Sequence, residues 1–363
     1  MMYAGIASFS PGTHPVDLGS VVDVSFGLEG DGSKIRPWRL TEYHLQMCCR
    51  KLNWTTRTIF FRPGIYYADG PLRVDFDELF PNEAGREMLR EGVAFRGVAR
   101  ASMIVFEHPL RGMTRPALQI FWGRRNRGPG EPPRTQTPLF FWEFTGLNVK
   151  GNVDHELVRF GGEDIEETPF NSCVFQISVN NGYVPADEPT DVRDDTVTGP
   201  ARGVHFFRVL ESTIDVVATC AQGMAAVFDT CEFCTIKGSF SNAECVVPSA
   251  AEGGTSDTGR AIRPLSHGLY FIDCCGIANL SINLEVCFFG ISMERGCRGI
   301  TFANVMSNNC DVRGSIFNVQ MINDDAVNQV ECLVRRQVIQ GGGRLAPICE
   351  GRSAPVKINH VLR

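Results

Sequence analysis

A repeat of about twenty residues constrains this chain more than any other feature. Phe206-Phe207 precedes Ile214-Asp215-Val216, Phe228-Asp229 precedes Ile236-Lys237, and Phe271-Ile272-Asp273 precedes Leu280-Ser281-Ile282. Ile214 to Ile236 spans 22 residues and Leu280 to Ile300 spans 20; Ile236 to Leu280 spans 44, which is two turns or one turn carrying a long insertion. So short a period excludes tetratricopeptide, ankyrin and propeller-blade units, and the segments lack the L-x-x-L-x-L-x-x-N pattern of leucine-rich repeats. Short β-branched runs at 93–98, 103–106, 147–149 and 174–179 are joined by no evident two-residue hairpin turn, and helix-period apolar spacing is absent after Leu52. What remains is a β-coil. Each turn is one rung of short strands whose inward side chains stack on the next rung, with isoleucine over isoleucine as the expected signature.

The rest of the chain divides around that coil. Residues 1–20 are rich in Gly, Pro and Ser and read as an arm or linker; 21–320 form the coil; 321–363, strand-rich and containing Gly341-Gly342-Gly343, read as a C-terminal cap or oligomer contact. Trp38, Leu40, Tyr43, Met47 and Leu52 stand at roughly helical spacing and predict one helix over 36–52. Three insertions interrupt the rungs: a basic one from Gly123 to Gly130, an acidic one from Tyr183 to Arg202, and a small polar one from Val247 to Pro264. Charge runs in such loops are usually solvated, with subunit or glycan contact as the alternative.

Thirty-five basic against 41 acidic residues leave a formal charge of −6, which disfavours nucleic acid as a partner. No apolar stretch approaches the roughly 20 residues that span a bilayer, and the first residues lack a signal-peptide pattern, so cytosolic synthesis is expected. Of 14 cysteines only Cys231/Cys234 has C-x2-C spacing, without a second pair to complete a zinc site. The leading reading makes the cysteines small apolar packing residues; the alternative is disulfides that form after release into an oxidising medium, with Cys231, Cys275, Cys287 and Cys310 as candidates.

The block from 22 to 74 resembles the opening of pectate-lyase-superfamily proteins, among them many phage tailspikes. The residues that carry the likeness are Val24-Ser25-Phe26-Gly27-Leu28-Glu29-Gly30-Asp31-Gly32, then the helix, then Ile59-Phe60-Phe61-Arg62-Pro63-Gly64-Ile65-Tyr66 and Pro71-Leu72-Arg73-Val74. Val93-Ala94-Phe95-Arg96-Gly97 followed by Ser102-Met103-Ile104 is similar to the next rung of that family. The resemblance implies an all-β fold, a right-handed single-stranded parallel β-helix with a short N-terminal capping helix. It fixes no chemistry, because one superfold hosts lyases, hydrolases, binding modules and inert spikes.

Glycoside hydrolysis needs two carboxylates roughly 5 to 9.5 Å apart. Asp229 lies seven residues before Ile236 and Asp273 seven before Leu280, so equivalent rung positions are expected and the two form the candidate catalytic pair; the competing reading is that they cap turns. The polygalacturonase order of motifs is not met: Asn323-Asp324-Asp325 follows Ser266-His267-Gly268 instead of preceding it, and no R-I-K triplet comes after. Asp194-Asp195 with Arg193 is a weak candidate for the calcium chemistry of a lyase, and the seven histidines show no metal spacing, so neither a metal nor a cofactor is expected. Trp122, Trp142 and Tyr183 flank the first two insertions and are candidates for stacking on sugar rings, with the core as the alternative location.

Three functions follow as expectations. The first is a bacteriophage virion appendage (tailspike, fibre or collar component): a homotrimer that contacts other virion proteins and host surface polysaccharide, made in the host cytoplasm and then extracellular. The second is a depolymerase, glycoside hydrolase or lyase, that cleaves such a polysaccharide, and the third a non-catalytic glycan-binding module.

Overall fold

The computed structural model describes residues 21–308, except 100, 107–109, 111–112, 124–137, 164–166, 183–200, 222, 243–266, 286, 288, 295–296, 304, and then the strands 319–322, 332–340, 349–350 and 356–362. The arm, the bodies of the three insertions, Tyr183, Cys310, Asp194-Asp195, Asn323-Asp324-Asp325 and the triple glycine lie outside the described residues.

Among the described residues every strand pairing is parallel, and the chain visits its sheets in rotation. Sheet A runs through Val21–Asp23, Thr58–Phe60, Ala94–Arg96, Glu143–Gly151, Val174–Asn181, Thr213–Cys220, Thr235–Ser241, Ala278–Glu285 and Ile300–Phe302. Sheet B runs through Leu72–Asp75, Leu118–Phe121, Glu156–Phe160, Ala201–Phe207, Gly223–Asp229, His267–Ile272 and Phe289–Glu294. Sheet C is the short third wall, Leu139–Phe140, Phe170–Asn171 and Val209–Leu210. The strands beyond 308 continue sheets A and B in the same parallel sense. Stacked parallel rungs of this kind fit a β-helix-like solenoid.

The interior is ordered by aromatic columns more than by isoleucine, although Ile214 does lie in register with Ile236. Phe95, Phe144 and Phe175 stack from sheet A at 5.3 and 5.1 Å; Phe160, Phe206, Phe228 and Phe271 stack from sheet B at 5.5, 5.3 and 5.2 Å, all near-parallel and buried. In-register parallel strands place equivalent side chains about 4.8 Å apart, close to the offset-stacking distance of phenyl rings. The repeated Phe visible in the sequence is therefore the core itself.

The capping helix is shorter than expected. Trp38–Leu40 is a strand paired with Tyr66–Ala68, and the helix occupies Glu42–Cys49, opened by Thr41, whose hydroxyl accepts the His44 N–H at 3.2 Å. Its buried face is Leu45, Cys48 and Cys49, whereas Tyr43 is exposed. Two further helices, Phe76–Leu79 and Glu83–Leu89, interrupt the early rungs; Asp75 and Asn82 cap them. Within the glycine-rich turn before Trp38, a Cβ on Gly32 would stand 2.5 Å from the indole, so only glycine fits there.

The 44-residue interval is one turn with an insertion, because Thr235–Ser241 pairs directly with Ala278–Glu285. A bulge displaces the register there: Ile236 faces Asn279, Lys237 faces Ser281, and Leu280 is left over and half-exposed. Counting back from Leu280 therefore misplaces Asp273 by one. Asp229 is in register with Ile272, while Asp273 shares with Arg208 and Thr230 a left-handed turn conformation, φ 49°, 52° and 53°.

Five of the buried cysteines share a place in the coil. At corner after corner a thiol donates to the carbonyl two residues back and to a carbonyl of the preceding rung: Cys173 to Asn171 and Leu139, Cys231 to Asp229 and Phe206, Cys234 to Glu232 and Val209, Cys274 to Ile272 and Phe228, Cys287 to Glu285 and Phe240. Ser212 fills the same role with its hydroxyl to Leu210. The carbonyls two residues back already accept a backbone N–H, from Phe141, Arg208, Glu211, Thr230 and Asn242, so each thiol adds a small weak second donor at its corner without opening the core. The C-x2-C pair is thus two successive corners, and Cys231, Cys275 and Cys287 carry no disulfide. Burial raises the Cys173 and Cys234 thiols to about 12 and Cys274 well above its usual value. Iodoacetamide at pH 8 is expected to label these three roughly a thousandfold more slowly in the native protein than in urea. Peptide mass spectrometry of pulse-labelled protein reads this, and labelling at the rate of an open thiol would contradict the corner assignment.

Candidate functional site

Sheet B carries a cluster of charge that the core cannot explain. On Glu156–Phe160 and Ala201–Phe207, Val158 and Phe160 face Val204 and Phe206 in the interior, so the alternating Arg159 and His205 leave the opposite face. Register sets Glu156 beside Arg202, Arg159 beside His205, and Phe207 beside Asp229. Five ionisable groups from three successive rungs converge in this way.

Glu156 is the hub and is 1% exposed. Its Oε1 meets His205 Nδ1 at 2.6 Å and accepts from Arg159 Nη1 at 3.1 Å and from Arg202 Nη1; Oε2 accepts from Arg159 at 3.1 Å. Arg159 is itself held by the Gly162 carbonyl at 2.7 Å and lies over the Phe207 ring, 5.1 Å from its centroid. Burial alone pushes the Glu156 carboxyl up; the His205 ring and both guanidiniums outweigh it and hold the group well below the usual carboxylate range. Asp229 also lies below its ordinary value: burial raises it, and the His205 ring, the Thr230 hydroxyl and Arg159 together lower it further.

The geometry around His205 is what chemistry would use. Donation from Nδ1 to Glu156 fixes the ring and leaves Nε2, which is buried without a hydrogen-bond partner 3.8 Å from Asp229 Oδ2. A buried carboxylate that orients an imidazole toward a second, partly exposed carboxylate is able to move protons; it is equally able to clamp three rungs together.

Of the residues singled out in the sequence, Asp229 belongs to this cluster and Asp273 does not. Trp122 and Trp142 are 3% and 0% exposed, their indole N–H groups donating to Asp77 Oδ1 and the Leu89 carbonyl, so neither presents a ring face to a sugar. In the thiol column Cys231 is followed by Cys274, and Cys275 stands one position off it, bridged to Glu232 and Arg298. Glu156, Arg159, Arg202 and His205 escape sequence reasoning; the one signal is a His set between core positions in Val204-His205-Phe206. Among the described residues, no three His, Cys, Asp or Glu side chains come together as a metal site, and no helix is long and apolar enough to cross a membrane.

No family model and no curated protein matches the chain. Among solved structures, ORF18 of Geobacillus virus E2 is similar over 94% of this chain and 60% of that one, at 12% identity and a TM-score of 0.32. This chain thus spans less than two thirds of that protein's length, and a likeness at this level assigns no function.

Proposed function

We propose that the chain is the shaft of a bacteriophage virion appendage, a tailspike, fibre or collar component, built as a right-handed single-stranded parallel β-helix of the pectate-lyase-like kind. The observation that carries this is the run of phenylalanine columns through successive rungs, from Phe95 to Phe175 and from Phe160 to Phe271. A solenoid whose every rung is locked to the next by rings and corner thiols is stiff and offers few openings to a protease. The outer face of sheet A supports trimer assembly: Val174, Thr213, Thr235, Ala278 and Thr301 lie in register, and Val217 is half-exposed between Ser178 and Ser239. This face of mostly small side chains, crossed by the Asp215–Lys237 ion pair, suits a second copy of the chain, with other virion proteins and host surface polysaccharide as further partners.

Sedimentation velocity tests the assembly. The wild type is expected to run as a trimer, and Val174→Lys with Val217→Lys as a folded monomer with unchanged circular dichroism. A monomeric wild type, cut by trypsin within minutes, would remove the proposal.

A depolymerase is the second reading, favoured by His205 Nε2 lying 3.8 Å from Asp229 Oδ2. In it Asp229 and His205 transfer protons, and Glu156 orients the ring. His205→Gln and Asp229→Asn would each lower reducing-end release from a host capsule by about a hundredfold or more. Release that is unaffected by both sinks this assignment.

A further inference from the structure

A cleft of ≈ 420 Å3 opens beside the early rungs, away from the charge cluster, lined by Trp54, Arg57, Glu87, Met88, Arg90, Glu91, Gly92 and Phe141. Small-ligand sites commonly occupy roughly 300–1,000 Å3. Two of its walls are exposed aromatic rings, Trp54 at 66% and Phe141 at 59%, in a protein that buries most of its large rings.

Trp54 rides a turn that Asn53 holds shut: its Oδ1 accepts from the Thr55 N–H at 2.9 Å, the Thr56 N–H at 2.9 Å and the Thr55 hydroxyl at 2.8 Å. Phe141 has φ +57°, a left-handed conformation that a bulky side chain rarely adopts. The next rung places Ser172 in the equivalent turn, φ 54°, its N–H donating to Leu210 as the Phe141 N–H donates to Asn171. The same corner carries Glu211 (φ 47°) and Phe233 (φ 53°, 60% exposed) in later rungs, so the left-handed turn belongs to the fold, and at 141 it presents a phenyl ring to solvent beside the cleft.

Between the rings the lining is polar and balanced: two guanidiniums, Arg57 and Arg90, against two carboxylates, Glu87 and Glu91. Arg90 stacks at 5.5 Å over Phe140. Arg57 reaches the Gly92 carbonyl at 3.4 Å, which keeps its guanidinium at the cleft.

A ligand that fits must offer apolar faces to two rings and, around its edge, groups that both donate and accept. It must also be uncharged, because an anion would meet Glu87 and Glu91 and a cation Arg57 and Arg90. Pyranose rings meet all three conditions, with C–H faces and a rim of hydroxyls. We infer that this cleft is a binding site for a neutral oligosaccharide, in which Trp54 and Phe141 stack on sugar faces and Arg57, Arg90, Glu87 and Glu91 share its hydroxyls. The site stands whether or not the chain is a virion shaft, so a monomer that binds and a trimer that does not would separate the two proposals.

The test uses the full-length protein on an array of several hundred neutral and acidic glycans, followed by titration of the best neutral hexasaccharide with tryptophan emission as readout. Trp122 and Trp142 are buried and Trp38 packs on Tyr66 at 4.7 Å, so a saturable blue shift that is lost in Trp54→Ala reports on Trp54. Binding to at least one neutral glycan is expected, with affinity reduced tenfold or more in Trp54→Ala and in Phe141→Ala, both of which alter exposed rings and should melt like the wild type. Three results would overturn the inference: no glycan retained, acidic glycans alone retained, or neutral binding that persists in both variants by calorimetry.

Discussion

Replacing Glu156 by alanine is expected to lower stability by about 3–5 kcal/mol, the range for removing one partner of a buried ion pair. The cost comes less from the lost contacts than from what stays behind. Arg159, Arg202 and His205 all turn toward the vacated carboxylate, and Arg159 is only 8% exposed, so its charge would lie in a poorly solvated interior with a single carbonyl to receive it. In a chain of this size the melting temperature should fall by roughly 5 °C. Glu156→Leu combined with Arg159→Met and Arg202→Met should recover most of the loss, since a buried ion cluster is often replaceable by apolar side chains of similar volume. Scanning calorimetry reads both. A single variant melting within a degree of the wild type would mean that the cluster holds no structure together and would shift weight to the catalytic reading of His205.

The second large effect is acid sensitivity through His267. This side chain, 2% exposed and edge-on to Tyr270 at 5.0 Å, is pushed down by burial to about 3 from an ordinary 6.5. The native state therefore refuses a proton that the unfolded chain takes up as soon as pH drops below 6.5. Stability is unaffected above that point, declines by about 1.4 kcal/mol per pH unit below it, and levels out near pH 3. At pH 4.5 the deficit is about 3 kcal/mol. Glu156 acts in the same direction in a lower window: its folded value is depressed, so its contribution is complete above about 4.5 and is lost only as pH falls further. Urea unfolding at pH 7 and at pH 4.5 separates them, because His267→Gln should abolish most of the difference between those two pH values. An equal loss in the variant would place the acid sensitivity elsewhere.

The rungs were legible because they depend on local repetition. Phe206, Phe228 and Phe271 recur at the same place in each turn, and in-register parallel pairing converts that recurrence directly into a stacked column. The bulge at Leu280 was not legible, since a bulge adds one residue without altering the hydrophobic run around it, and the single-residue slip moved Asp273 from a strand end into a turn. The helices at Phe76–Leu79 and Glu83–Leu89 are too short to establish a helical period; only their capping residues, Asp75 and Asn82, mark them. The cysteines read correctly as packing residues but concealed a directional role, because a thiol that donates to a carbonyl two residues back leaves no spacing pattern beyond C-x2-C. The charge cluster lay furthest from sequence reasoning. Glu156, Arg202 and Asp229 occupy different rungs and meet only through register, which one sequence reveals only when its repeat is exact.

A cryo-electron microscopy map of the purified full-length protein tests the central claim, that parallel rungs stack in register into a stiff shaft. The account predicts a rod with strand layers about 4.8 Å apart along its axis. Within it the rings of Phe206, Phe228 and Phe271 should form one column, with the Glu156–His205–Asp229 group on the opposite side of sheet B. Antiparallel neighbours, or those three rings on different faces, would contradict it.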